Sequence, residues 1–383
     1  MTNHYLSTLS DKTEGGLTLA GYNSYDPFSV CFNILKLKYK DYDESLTTKN
    51  YLVPNDKVNV FINFETVLKH LSMITDLEKK LIIEREFETI LISNILNLIG
   101  HYKRFFVNNG LDTRVYLYHT DLSSYEFNQY KYNDEYRTYY LVKYNDNPKF
   151  IYLTEALKNK ILPDVKTYCE FIPNVYYISA KNIEGSLVPY IIGKEDKNRK
   201  NLIISGEFFD TQYSLLPNYV NHYIHRGPGY NEVVSSVPEY LRLITKKDKE
   251  VLKPFIDIYS NHSMYCALQS VMGDRNRSID GINGIGFANL YRQIKEGISS
   301  NKIQLTTTSP ALLSEIFTDD DMKEDFINNY SCINIPLMYE ELTNAEKSSI
   351  YNQRKERNDI NTLYSLNNTV FYNHRLILES LLL

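Results

Sequence analysis

The chain of 383 residues is 43% hydrophobic and 23% charged, which is typical of a globular protein with a sizeable core. Its formal net charge of −5 argues against a protein whose main task is to attract nucleic acid electrostatically. The sequence has no apolar run of membrane-spanning length and no secretory signal pattern, and its four cysteines form no C-x-x-C pair. These features predict a protein with no membrane partner, in a reducing compartment.

The aromatic composition is skewed, with 34 Tyr and 17 Phe but no Trp, beside abundant Asn, Ile and Lys. Because these residues have AT-rich codons, the bias indicates the genome of a phage, another AT-rich virus or a low-GC bacterium. It carries no information about mechanism. We therefore expect the protein in the cytoplasm of the infected host cell, with the virion as a second location.

Strand and helix patterns alternate along the chain. Residues 1–55 are predicted to form an extension with turn signals around one alternating run, "VCFNILKLKY". A buried strand is predicted over 58–63, an amphipathic helix over about 76–107, and a further strand at "TRVYLYHT". "NVYYISA" is the next predicted strand and "KNIEGSLVPYIIG" is helix-like. "NLIISGEFFDTQYSLL" predicts a strand, a Ser-Gly turn and the start of a helix.

This alternation predicts an α/β fold over residues 56–240, with a parallel sheet flanked by helices on both faces. In such folds the functional side chains collect at the carboxyl ends of the strands. The polar residues at these positions are Asn63, Asp121, Glu184 and Glu207. The chain then becomes mostly helical, which predicts a helical subdomain over 241–300 and a helical C-terminal tail over 301–383.

Two local patterns give smaller expectations. His222 and His225 stand three residues apart, an interval that suits two metal ligands on a helix, but no third ligand type is adjacent. This favours histidines at the surface or with satisfied hydrogen bonds. The acidic run "TDDDMKED" predicts the start of a solvated helix with Thr318 as its N-cap.

Three motifs of the chain resemble those of one nuclease family. "NLIISGEFFDTQYSLL" is similar to a strand followed by S/T-G-D-x-D, and "NIEGSLVPYII" to a helix that begins E-A-x-D. "GDRNRSIDGINGIGFANL" resembles G-D-x-x-D-N-I-x-G-x-x-G-I-G-x-x-x-A, a helix–hairpin–helix-type turn and the most specific of the three. Residues 56–300 thus resemble the flap endonuclease and 5′–3′ exonuclease family, a PIN-like branch that includes phage RNase H-type members.

The resemblance implies two-metal cleavage of phosphodiesters, in which several carboxylates hold two Mg²⁺ or Mn²⁺ ions. It also implies that the turn at Gly281, Gly284 and Gly286 lets backbone N–H groups approach phosphates without obstruction by side chains. The glycines favour no single interpretation, because the same turn could simply join two helices.

Basic side chains near these motifs are candidates for contact with nucleic acid. Arg275 and Arg277 precede the glycines. Lys131 and Arg137 lie in "SSYEFNQYKYNDEYRTYYLVKYN", at the place of the family's clamp, where tyrosines could stack on bases. The alternative is that these tyrosines pack a half-buried hairpin, since acids are interspersed among them.

The chain departs from the family pattern at most ligand positions. Asn63 replaces the acid of the first strand, and Ser186 and Leu187 follow Glu184 where E-A-x-D supplies a second acid. Phe209 stands at the second acid of S-G-D-x-D, and Arg277 at the second acid of G-D-x-x-D. Neither of these last two side chains can bind a cation, and the arginine would instead neutralise a neighbouring carboxylate.

The retained acids are Glu184, Glu207, Asp274 and, by a loose correspondence, Asp121. We expect at most one weak Mg²⁺ or Mn²⁺ site, made by Glu184, Glu207 and Asp274. The sequence therefore predicts a catalytically degenerate nuclease-like protein with a structural, assembly or protein-interaction role in a viral particle or complex. Two alternatives stay open: a live metal-dependent 5′ nuclease that uses those three acids, and a non-catalytic protein that binds branched or single-stranded DNA.

Overall fold

The structure is a computed structural model that describes residues 55–64, parts of 92–110, and residues 111–121, 161–227, 230–234, 237–274, 277 and 279–355. Several predictions lie outside these residues. They are the strand in the N-terminal extension, most of the helix over 76–107, the tyrosine-rich segment with Lys131 and Arg137, and Arg275.

A six-stranded sheet forms the centre of the fold, in the order β3-β2-β1-β4-β5-β6. Strands β1 to β5 run parallel, and β6 pairs antiparallel with β5. The strands are β1 Lys57–Asn63, β2 Asp112–Asp121, β3 Val175–Lys181, β4 Lys200–Ser205, β5 Tyr219–Gly227 and β6 Tyr230–Val234. The predicted parallel sheet flanked by helices is confirmed, and so are the four predicted strands that became β1 to β4.

The apolar runs explain why these segments form a buried sheet. All residues of β1 after Lys57 are buried, as expected for a parallel strand that is covered on both faces. Helical residues between 92 and 108 contribute side chains such as Ile95 and Tyr102 to the buried core.

Helices surround the sheet and continue beyond it. They are α1 Leu162–Phe171, α2 Val188–Glu195, α3 Val237–Thr245, α4 Lys249–Tyr259, α5 His262–Met272, α6 Phe287–Ser299, α7 Pro310–Ser314, α8 Asp320–Ile333, α9 Ile335–Glu340 and α10 Asn344–Tyr351. Two 3₁₀ helices, Gly185–Leu187 and Phe208–Leu215, follow β3 and β4. The helix predicted in "NIEGSLVPYII" and the helix start after the Ser-Gly turn are therefore present.

The hairpin of β5 and β6 was not predicted. His222 and His225 lie on β5, so the helical spacing considered for them is wrong. An interval of three residues places two side chains on one face in a helix and not in a strand, so the spacing gives no argument for a metal site here.

The helices after residue 300 pack onto the rest of the molecule. Helix α8 packs against α5, and α10 packs against α2 and β3. One cluster of buried apolar side chains runs from Phe61 in the sheet to Ile350 in α10. The N-cap of α8 is Asp319, which accepts a hydrogen bond from the Met322 N–H, so the prediction of Thr318 as the cap is off by one residue.

Within the part of the chain that the structure describes, no helix is long and apolar enough to cross a membrane. Cys169, Cys266 and Cys332 are free and buried, as expected for thiols in a reducing compartment.

Candidate functional site

The carboxyl ends of the parallel strands bring several predicted residues to one edge of the sheet. Asn63 is the last residue of β1 and is buried. Asp121 is the last residue of β2. Glu184 and Glu207 are the N-cap residues of the 3₁₀ helices that follow β3 and β4. Because β1 to β4 are parallel, their ends point the same way, as the sequence predicts.

Arg277 lies against this edge and contacts two of the predicted acids. Its Nη2 donates to Glu184 Oε1 at 3.3 Å and to Ser186 Oγ at 3.0 Å. Its Nε lies 3.6 Å from Asp274 Oδ2. The guanidinium carbon lies 3.6 Å from the centroid of the Phe209 ring, a cation–π contact.

This arginine is buried together with its counterion. Arg277 and Glu184 are each 3% exposed. The attraction between a buried cation and anion offsets their desolvation cost only when their geometry is good and further polar partners are present. Here the arginine also contacts the Ser186 hydroxyl and the face of the Phe209 ring. The positive charge is thus a fixed part of the edge where the family resemblance implies metal ions.

The loop after α5 holds Arg277 in this position. Asp274 and Ile279 exchange backbone hydrogen bonds at 2.8 and 3.0 Å, and the Arg277 N–H donates to the Asp274 carbonyl at 2.9 Å. Gly273, with φ of +71°, ends α5 and begins this loop. The tight loop directs residue 277 back toward the sheet edge. The side chain at this position therefore contributes its charge to the site.

Asp210 is a buried acid at this edge that the motif comparison missed. It is 0% exposed, and the Ser205 hydroxyl donates to its Oδ2. Burial raises the pKa of Asp210 to about 7, while the charge of Arg277 acts in the opposite direction. Asp210 is the sixth letter of "SGEFFD", one position beyond Phe209. The family pattern S-G-D-x-D ends at the fifth letter, so a comparison with it does not reach this acid.

The Ser-Gly turn after β4 explains how Asp210 is held. Ser205 Oγ accepts a hydrogen bond from the Glu207 N–H at 3.0 Å while its hydroxyl donates to Asp210. One serine therefore fixes both the turn and the buried carboxyl. The 3₁₀ helix that begins at Phe208 then places Phe209 under the guanidinium.

The three glycines of the turn before α6 have different physical roles. A Cβ on Gly281 would lie 2.9 Å from the Met272 carbonyl oxygen, so this position is glycine for close packing. Gly284 has φ of +80°, a conformation that glycine adopts without strain. Gly286 is the N-cap of α6, and a Cβ there would have open space around it. Of the three, Gly286 best matches a position that a phosphate could approach.

The residues at this edge do not fit a two-metal site. Among the described residues, no group of three or more His, Cys, Asp or Glu side chains is placed to hold a metal ion. Glu184, Glu207 and Asp274 do not form such a group in the described part of the chain, and the weak metal site stays a prediction. Two of its members instead face Arg277, whose guanidinium supplies positive charge and no ligand atom.

No protein-family model matches the sequence, and no curated protein matches it. Solved structures match its fold. The T5 flap endonuclease co-crystallised with metal ions aligns with a TM-score of 0.50 at 12% identity, over 78% of this chain and 100% of that chain. The T5 5′-exonuclease with bound zinc aligns with a TM-score of 0.47 at 13% identity, over 85% and 100% of the two chains. A complex of the bacteriophage T5 flap endonuclease with DNA and metal ions gives 0.46 at 12% identity, over 85% and 99%. The first of these matches shows that the chain has the fold of the T5 flap endonuclease.

Proposed function

We propose that this chain is a catalytically degenerate, flap-endonuclease-like protein that serves as a structural, assembly or protein-interaction component of a viral particle or complex. The observation that carries the proposal is the buried Arg277, which contacts Glu184 and Asp274 at the edge where the family resemblance implies metal ions.

Two-metal cleavage needs anionic oxygen atoms that converge on the cations. A guanidinium offers N–H donors and no acceptor, and its charge repels a divalent ion that approaches the same carboxylates. Phe209 adds an apolar ring where the family pattern has an acid, and Asn63 adds a neutral amide at the end of β1. These three substitutions act together against the cleavage chemistry.

A nuclease assay tests the proposal directly. The full chain is incubated with flapped and nicked DNA in Mg²⁺ and in Mn²⁺, and we expect no cleavage above that of a protein-free control. The informative variant is Glu207→Gln, and its matched control is Glu195→Gln, a change to an exposed acid on α2. Cleavage that is lost in Glu207→Gln but kept in Glu195→Gln would show a live enzyme and end the proposal.

One observation favours a second candidate, the non-catalytic binding of branched or single-stranded DNA. Gly286 begins α6 without a side-chain cap, and the space around its Cβ position is open. The N-terminus of a helix attracts phosphate through its unpaired N–H groups and its dipole. A salt-dependent mobility shift of branched DNA without cleavage, lost in Gly286→Asp, would support this candidate.

The structural role has its own test. Mass spectrometry of purified particles, from a host in which the chain is expressed during infection, should find the protein at a fixed ratio to the other particle proteins. Its absence from particles and from every isolated complex would contradict the structural and assembly role.

A further inference from the structure

Helix α8 lies directly on the glycine turn. The Asn329 Nδ2 donates to the Asp280 carbonyl at 2.8 Å and to the Ser270 carbonyl at 3.0 Å, which joins α8 to the turn and to α5. At the other end of α8, Met322 Cε is the nearest atom to the position of a Cβ on Gly284, at 3.9 Å. The helix thus follows the turn from its base to Gly284.

The end of α8 that reaches Gly284 is strongly acidic. Asp319, Asp320 and Asp321 directly precede Met322 and are all exposed. Because a helix rises 1.5 Å per residue, the backbone of all three residues lies within about 5 Å of that of Met322 along the helix axis. The neighbouring base, Lys323, is engaged in an ion pair of 3.1 Å with Asp320.

These charges oppose the attraction of the helix N-terminus for anions. The dipole of α6 contributes about half a positive charge at Gly286, and the dipole of α8 contributes a similar amount at Asp319. Three carboxylates outweigh both, even after Lys323 offsets one of them. At physiological salt the screening length is about 8 Å, so acids in the first turn of α8, next to the Met322 that reaches Gly284, act on a phosphate at that end of the turn.

We infer that the first turn of α8, residues 319–321, is an acidic cover that denies the glycine turn to the phosphates of a nucleic acid. The chain retains the shape of a phosphate-binding turn, with open space at Gly286, and opposes anion binding there through the negative charge of a helix from the region after residue 300. This inference goes beyond the proposed function, because it concerns binding at the turn and holds whether or not the sheet edge cleaves DNA.

The test neutralises the cover without unfolding the helix. In the triple variant Asp319→Asn, Asp320→Asn, Asp321→Asn, asparagine still serves as an N-cap, so α8 keeps its start. Fluorescence anisotropy with labelled branched and single-stranded DNA, at about 50 mM salt, should show affinity about tenfold tighter than that of the wild type, with a steeper salt dependence.

Two controls make the result specific. The triple variant Asp164→Asn, Glu170→Gln, Glu195→Gln has the same change of net charge, placed on α1 and α2, and should change affinity by less than about threefold. Adding Gly286→Asp to the α8 variant should cancel its gain, because the new carboxylate sits at the start of α6, where the space is open. Thermal melts verify that each variant is folded.

Two results would overturn the inference: an equal gain in both triple variants, or wild-type binding that Gly286→Asp already abolishes. Cleavage of the same DNA in Mn²⁺ is recorded as a separate readout. It bears on the proposed loss of activity, so failure of the cover and failure of that proposal are distinguishable.

Discussion

Replacing Arg277 with methionine is expected to destabilise the fold by about 3–5 kcal/mol, because it removes one partner of a buried ion pair. Arg277 and Glu184 are each 3% exposed, and their contact of 3.3 Å links a loop to the sheet edge. Methionine keeps most of the side-chain length over the Phe209 ring, so the change isolates the charge from the packing.

The magnitude follows from three of the four contacts that are lost, since the ion pair with Asp274 is the longest of the polar contacts and lies partly in solvent. The charged hydrogen bond to Glu184 and the bond to Ser186 each contribute on the order of 1–3 kcal/mol when a buried partner remains behind. The cation–π contact with Phe209 adds about 1–2 kcal/mol in a desolvated site. Since these contributions share one side chain they do not simply add, and the value for a broken buried pair is the better guide.

The assay is urea unfolding followed by circular dichroism, arranged as a double-mutant cycle. The single variants are Arg277→Met and Glu184→Gln, and the double variant carries both. We expect the double variant to be more stable than the sum of the single losses predicts, by about 2 kcal/mol, because it leaves neither charge buried alone. Arg277→Lys, which keeps the charge but loses the planar fork, should fall between the wild type and Arg277→Met.

A loss below about 1 kcal/mol in Arg277→Met, or strictly additive losses in the cycle, would refute the reasoning. Either result would mean that the guanidinium is not coupled to the buried acid. The proposed loss of cleavage chemistry would then lose the observation that carries it.

Three further predictions concern other parts of the molecule. Because burial raises the pKa of Asp210 to about 7 from an ordinary value of 3.8, the folded protein holds a proton that the unfolded chain releases. Stability should therefore fall by up to about 4 kcal/mol as the pH rises from about 4 to 7, and urea titrations at about pH 5 and pH 8 should show this slope flattened in Asp210→Asn. Gly284→Ala should cost about 1–2 kcal/mol, because φ is +80° there, whereas Gly286→Ser, at an N-cap that serine favours and with open space for its Cβ, should not lower the melting temperature. Gln353→Ala removes two hydrogen bonds of 2.9 Å to the backbone of Ser179 on β3 and should cost about 1–3 kcal/mol in chemical denaturation, with exposed Gln304→Ala as the neutral control.

Local sequence patterns were sufficient for the central architecture. The apolar run of β1 and the strand patterns that follow it can each be recognised from a few consecutive residues. Their alternation with helices then predicts a parallel sheet. The edge positions of Glu184 and Glu207 follow from that arrangement alone. The glycine motif before α6 was visible for the same reason, because a turn is set by neighbouring residues.

Sequence patterns failed where contacts join distant residues or where a motif shifts by one position. Asp210 was missed because the comparison stopped at Phe209, and only the 3₁₀ helix shows that the next residue points into the core. The β5–β6 hairpin was missed because the interval between His222 and His225 was weighed only as a helical spacing, although the turn-forming "GPG" between "YVNHYIHR" and "YNEVV" is a local hairpin signal.

The sequence by itself determined the α/β class and the order of the strands along the chain, and it shows Asn63, Phe209 and Arg277 at positions where the family resemblance implies acids. The tertiary structure decided what those residues contact. Arg277 and Glu184 are 93 residues apart, and their contact exists because a tight loop after α5 returns to the sheet edge. The seating of α8 on the glycine turn likewise depends on packing over 49 residues between Asp280 and Asn329. Periodicity is a property of neighbouring residues, whereas the burial of a charge and the packing of a helix beside a turn depend on which distant surfaces the folded core brings together.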